Sequence, residues 1–204
     1  MFEFRSFADS MAQLGLEADQ DTFGVLLDLY SETTRFYHDK SHVVECLSQF
    51  QKYSRYAERP GEVEVAIWFH DAIYDTRAGD NEEQSAELAE LHLKRAGAGK
   101  DCVSRVVAMI LATKTHQVSS LDSMLMVDVD LGILGAPSHT FEEYDRNIRR
   151  EYHWVPDEAY TSGRAAVLRS FHEREKIYHT EPIRQQYEEQ ARRNLTRKID
   201  ELDS

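Results

Sequence analysis

A chain of 204 residues, 41% of them hydrophobic, is long enough to bury one sizeable core and leaves little room for a second full domain; its composition excludes disorder and collagen. With 37 acidic residues against 24 basic ones the net charge is -13, which repels a nucleic-acid polymer, and the two cysteines, Cys46 and Cys102, lack the CxxC spacing of a disulfide scaffold or cysteine zinc site and read as small core residues. No apolar run approaches the ~20 residues of a membrane span, and Met1-Phe2-Glu3-Phe4-Arg5 lacks a signal peptide's basic start and apolar centre, so the expectation is a cytoplasmic protein with no membrane partner.

Helical periodicity recurs along the chain while period-two alternation is nearly absent, which predicts an all-α fold, a single helical bundle over residues 1–204. Phe23, Val25, Leu26, Leu27 and Leu29 predict a helix over about 21–31. Val43, Val44, Leu47, Phe50 and Tyr53, three and four apart, predict another over about 38–56. Pro60 suits the first turn of the next helix, whose Val63, Ala66, Ile67 and Ile73 mark a buried segment that carries His70 and Asp71. Asp80 followed by Glu83 resembles a capping box opening a helix to about Ala96. Further helices are expected over about 101–113, 124–134, 139–153, 157–176 and 182–202, the last amphipathic enough to pack on its own bundle or on a second copy of the chain. Charge is uneven: residues 146–198 carry 12 Arg or Lys against 8 Asp or Glu, or +4, leaving -17 elsewhere, so a small anion is admissible where a polyanion is not.

Polar residues interrupting apolar helices are the chemical signal, because burying them is costly unless a partner or a metal compensates. His70-Asp71 interrupts Ala66 to Asp75, His42 lies one helix earlier, and Asp128-Val129-Asp130 interrupts Met124 to Leu134. Two imidazoles and carboxylates from three helices can converge on one cation. On a helix, Asp128 and Asp130 point about 200° apart, so one of them faces such a cation. His38 precedes His42 by four residues, an HxxxH pair read as structural or substrate-facing.

The ordered pattern His42, His70-Asp71, Asp130 resembles the HD-domain superfamily of metal-dependent phosphohydrolases. Flanking segments, among them Arg35-Phe36-Tyr37-His38, Ile67 to Asp75, Asn81 to Ala86, Ile148 to Tyr152 and Ala191 to Leu195, look like its small single-domain bacterial branch. The resemblance covers about residues 30–200, with a motif core over about 30–135 and additional carboxy-terminal helices over about 137–202. It implies one divalent ion held by His42, His70, Asp71 and Asp130, with Asp128 as the fallback ligand, and water-driven hydrolysis of a small phosphate ester, nucleotides among the candidates. Two imidazoles and two carboxylates suit manganese, iron, cobalt, nickel, magnesium or zinc, with room for a second metal.

Around that set, Asp75, Glu82 and His116 are candidate catalytic groups. Asp75 is taken to share the helical face of Asp71 four residues on, Glu82 to lie in a first helical turn, and His116 to follow an apolar helix; the plainer alternatives are a solvated carboxylate, a helix-dipole contact and a surface histidine. Lys114 and Arg149 are phosphate-clamp candidates and His38 a substrate-contact candidate. Trp68 reads as core, Tyr74 as core or pocket lining, and His92, His139, His153, His172 and His179 as packing or surface residues. Competing readings are an HD-type di-iron oxygenase, which needs extra histidines for which His92 and His116 are the nearby candidates, and a non-catalytic nucleotide-binding protein.

Overall fold

A computed structural model describes residues 1–204, which are all-α, with ten α-helices, two short 3-10 turns and no strand. The chain divides into two compact units, Met1–Asp130 and Leu131–Ser204, a boundary that falls within the segment expected as one helix over 124–134.

The first unit holds α1 (Phe4–Gln13), α2 (Gln20–Leu29), α3 (Lys40–Tyr53), α4 (Pro60–Phe69), α5 (Asn81–Arg95), α6 (Lys100–Thr115) and α7 (Leu121–Asp130). Helix α4 is its axis, packed by α1, α3, α5, α6 and α7. Its sequence explains why: apart from Glu62 and Glu64 it is apolar, and its apolar residues from Val63 to Phe69 are all buried, so it is stable only when surrounded. Gly61 lets α1 approach closely, since a Cβ there would stand 2.6 Å from Gln13 Cβ. The backbone N–H groups of Glu58 and Arg59, just ahead of α4, donate to the Asp122 carboxylate from the first turn of α7, at 2.7 and 3.1 Å.

Helix α1 was absent from the expected set, although Phe4, Phe7 and Met11 recur at helical spacing; Phe7 and Met11 are buried, and Phe7 meets Trp68 edge to face. Trp68 is fully buried as expected, and its indole N–H donates to Ser10 Oγ at 3.1 Å. The expected helix over 38–56 starts two residues later, because the Asp39 carboxylate accepts from Ser41 N–H at 2.7 Å and caps α3 there. His38 therefore lies outside α3, and the HxxxH pair does not share a helix face. The capping box at Asp80 does not form: the Asp80 side chain accepts from Gln84 Nε2, and Glu83 is drawn to Lys114 instead.

In the second unit a 3-10 turn (Leu131–Gly135) precedes α8 (Ser138–Glu151), α9 (Asp157–His172) and α10 (Glu181–Leu202). Asp145 of α8 ties the three helices, accepting from Arg164 Nε of α9 at 2.9 Å and Lys198 Nζ of α10 at 2.8 Å. Asn194, fully buried on α10, donates to the carbonyls of Leu134 and Ala136 at 2.9 and 2.8 Å. Arg192 donates to the carbonyls of His172, Arg174 and Glu175, closing the end of α9.

Candidate metal centre

Three helices of the first unit carry the centre. His42 stands in the first turn of α3, Asp130 ends α7, and His70-Asp71 occupies the exit of α4. That exit departs from expectation, since α4 stops at Phe69 and does not run through the His-Asp pair. Arg35 accounts for the geometry there. Its buried guanidinium donates to the carbonyls of Asp71 at 2.6 Å, Ala72 at 2.7 Å and His38 at 3.2 Å, satisfying acceptors left bare by the helix end. Ser85 of α5 holds the next residue, its hydroxyl accepting from Ile73 N–H at 3.0 Å. Asp75 consequently lies in a turn, exposed, with its carboxylate accepting from Arg77 N–H at 2.9 Å, so the shared helical face with Asp71 does not exist.

The donor atoms of the centre crowd together. His42 Nε2 and His70 Nε2 are 3.1 Å apart; Asp71 Oδ2 lies 3.4 and 3.1 Å from them, and Asp130 Oδ1 lies 3.2 and 3.4 Å from them. His70 Nδ1 faces the Ile67 carbonyl at 2.8 Å, and because a carbonyl only accepts, that nitrogen carries the proton. The neutral ring therefore presents a lone pair from Nε2 to the cluster. Asp128, two residues before Asp130 on α7, is fully buried.

Four acceptors at such spacing repel one another unless protons or a cation intervene. Burial opposes charge on His70, but Asp71 and Asp130 beside it prevail and hold its imidazolium well above the ordinary histidine value. His42 is likewise raised against its burial, with Cys46 and Tyr37 favouring the charged ring and hydrogen bonds from it to Asp130 and Asp71 adding to the effect. Both carboxylates are held below their usual range despite burial, Asp71 chiefly by the His70 charge and Asp130 chiefly by hydrogen bonds from His42 and His70.

A divalent cation fits in place of those protons. Donors about 2.1 Å from a common ion stand about 3.0 Å apart at a right angle and about 3.4 Å apart at the tetrahedral angle, the range these pairs span. The site is also one-sided: the two histidine side chains are 2% and 0% exposed, whereas Asp71 and Asp130 keep 18% and 19%. The centre is therefore less closed on the carboxylate side.

A further residue beside the centre escaped the sequence reading. Cys46, one turn after His42 on α3, places Sγ 3.8 Å from both ring nitrogens of His42, and the donor atoms of His42, Cys46, His70 and Asp130 all lie within 4.8 Å of one another. Its spacing of four residues from His42 was the available signal, but Cys46 also fits the apolar face of α3, which hides it among core residues.

The remaining candidates sit as follows. The His38 ring stacks on Tyr74 with centroids 4.1 Å apart and lies 5.7 Å from that of His42, so both aromatic residues adjoin the centre. Lys114 donates to both oxygens of Glu83 and to the Gly79 carbonyl, with Glu82 at 3.8 Å. His116 caps α6 in the left-handed conformation at φ 56°. Arg149 belongs to the second unit, where it donates to the carbonyls of Tyr152 and Val155 and to Asp157. His92 is tied to Thr22: that hydroxyl donates to Asp19 and so accepts from His92 Nδ1, at 2.7 Å. No helix is long and apolar enough to cross a membrane. Comparison of the chain with family models, curated proteins and solved structures returns no match.

Proposed function

We propose that this protein is an HD-type metal-dependent phosphohydrolase acting on a small phosphate ester, nucleotides among the candidates, with one divalent ion held by His42, His70, Asp71 and Asp130. The observation that carries the reading is the meeting of two imidazole Nε2 atoms and two carboxylates at 3.1 to 3.4 Å with buried histidines and more open carboxylates. A divalent ion there supplies Lewis acidity toward a phosphoryl oxygen and lowers the pKa of a water.

The chain's own residues do the remaining work. The Ile67 carbonyl fixes the His70 tautomer, and Arg35 fixes the backbone that aims Asp71. His38 and Tyr74 adjoin the centre and are the first candidates to contact substrate. Lys114 binds phosphate only by giving up Glu83, since its donors already face that carboxylate and the Gly79 carbonyl. The net charge of -13 favours a small substrate over a polymer.

The test is metal content and phosphate release, measured on wild type and His70→Ala purified side by side without chelator. About one divalent ion per wild-type chain, none in the variant, and phosphate release from a nucleotide panel by wild type alone is the expected result. Two irons per chain point instead to an oxygenase. One ion with no phosphate release from any ester leaves a binding protein and overturns the hydrolase.

A further inference from the structure

We infer that Cys46 is a positioning residue of the metal centre: its sulfur lies over the face of the His42 imidazole and holds that ring where Nε2 meets the ion, without being a ligand itself. The inference rests on the metal-binding part of the reading above and not on the reaction assigned to it.

Two equal distances carry it. Cys46 Sγ is 3.8 Å from His42 Nδ1 and 3.8 Å from His42 Nε2, so it lies on the plane that bisects the two nitrogens. Within the plane of the ring, such a point falls closer to the ring carbons than the roughly 3.5–4.0 Å of ordinary non-bonded contact. The sulfur therefore sits above the ring. An ion on the Nε2 lone pair lies in the ring plane, about 2.1 Å beyond the nitrogen, and this sulfur does not face it.

The helix dictates this placement. Residues 42 and 46 share one face of α3, and helical side chains lean toward the amino terminus, so the side chain at 46 covers the one at 42. Cys46 is 2% exposed, and its single side-chain torsion makes the sulfur a fixed stop.

A stop is useful there because the outer torsion of a histidine is intrinsically broad, and rotation about it swings the ring edges out of plane. His70 is held within its ring plane, by Nδ1–H donating to the Ile67 carbonyl at 2.8 Å. His42 is held on its face, by a large polarisable atom in contact with the ring, with the Tyr37 ring centroid a further 4.8 Å neighbour. Removing the sulfur leaves a gap over the ring and lets Nε2 leave the position 3.1 Å from His70 Nε2.

Manganese affinity by calorimetry, cobalt(II) spectra and denaturant unfolding of the metal-free full chain test this together. Cys46→Ala should bind manganese about tenfold more weakly, whereas Cys46→Val, which returns apolar atoms to the ring face, should stay within about threefold of wild type. Wild type loaded with cobalt should show ligand-field bands and no thiolate-to-cobalt charge-transfer band in the near ultraviolet, and the ligand-field bands should broaden in Cys46→Ala. Cys46→Ser, whose oxygen reaches less far over the ring, should fall between, and it supplies the same test where the alanine chain does not fold. If Cys46→Ala lowers the stability of the metal-free chain but keeps manganese affinity within about twofold and the cobalt bands unchanged, the sulfur is core packing alone and the inference is overturned. A sulfur charge-transfer band in wild type also overturns it, by making Cys46 a ligand. No cobalt spectrum at all removes the metal centre and the inference with it, while a metal-loaded chain that releases no phosphate defeats only the hydrolase.

Discussion

Buried polar groups are handled differently in the two units. In Leu131–Ser204 donors meet acceptors: Asn194 N–H groups meet two carbonyls, and Arg164 and Lys198 share the Asp145 carboxylate. In Met1–Asp130 a buried cluster sets two imidazole nitrogens against two carboxylates, and those four atoms are all acceptors unless the imidazoles are protonated. The first arrangement completes itself and is structural. The second balances only with protons on its imidazoles, which the neighbouring carboxylates favour, or with a cation in their place, and it could hold a metal ion. Buried polarity alone therefore does not mark a functional site; mismatch between donors and acceptors does.

The sharpest way to break this contrast is His70→Ala, which removes one of the two imidazole donors of the proposed metal centre. Metal content should drop from about one ion to none, and hydrolysis should fall to background, while circular dichroism stays helical. In the second unit, Asp145→Asn strips a buried carboxylate from Arg164. It should cost about 3–5 kcal/mol in denaturant unfolding while leaving metal content unchanged. Arg35→Met lies between the two behaviours, since it frees buried carbonyls and also loosens the backbone of Asp71. We expect a loss of about 1–3 kcal/mol together with roughly tenfold weaker manganese binding by calorimetry. Arg35→Lys should not restore both, because an ammonium cannot fork between two carbonyls.

A pH series sharpens the same comparison. Folded-state values of His42 and His70 lie above their unfolded ones, so their stabilising contribution is fully present below about 6.5 and is lost as pH rises through the raised folded values. Asp71 and Asp130 are depressed, so their contribution is present above about 4 and is lost as pH falls through the lower folded values. The gap in Tm between metal-loaded and metal-free protein should widen as pH climbs above neutral, because the metal replaces protons that are leaving. A gap that narrows over that range would contradict the assignment. The smallest effect belongs to His92, whose value is lowered chiefly by burial and by Arg95. Its stabilising contribution is present above about 6.5 and fades as pH falls toward the lower folded value, so His92→Gln should flatten the acid side of the stability profile slightly.

Much of this was written locally. The all-α class follows from apolar positions three and four apart, and the polar breaks at His42, His70-Asp71 and Asp130 stand out against apolar surroundings because burying them demands compensation. Composition alone argued against a polymer partner. What the sequence could not decide was which atoms meet across long separations. Arg35 reaches the carbonyls of Asp71 and Ala72, 36 and 37 residues on, and ends α4 where periodicity would have continued it. Lys114 draws Glu83 away from its capping box, from 31 residues away. Cys46 fits an apolar stripe and reveals itself only beside His42 and His70. Periodicity is a property of neighbouring residues and survives in the bare sequence, whereas hydrogen bonds and coordination depend on fractions of an ångström between helices, which packing alone sets.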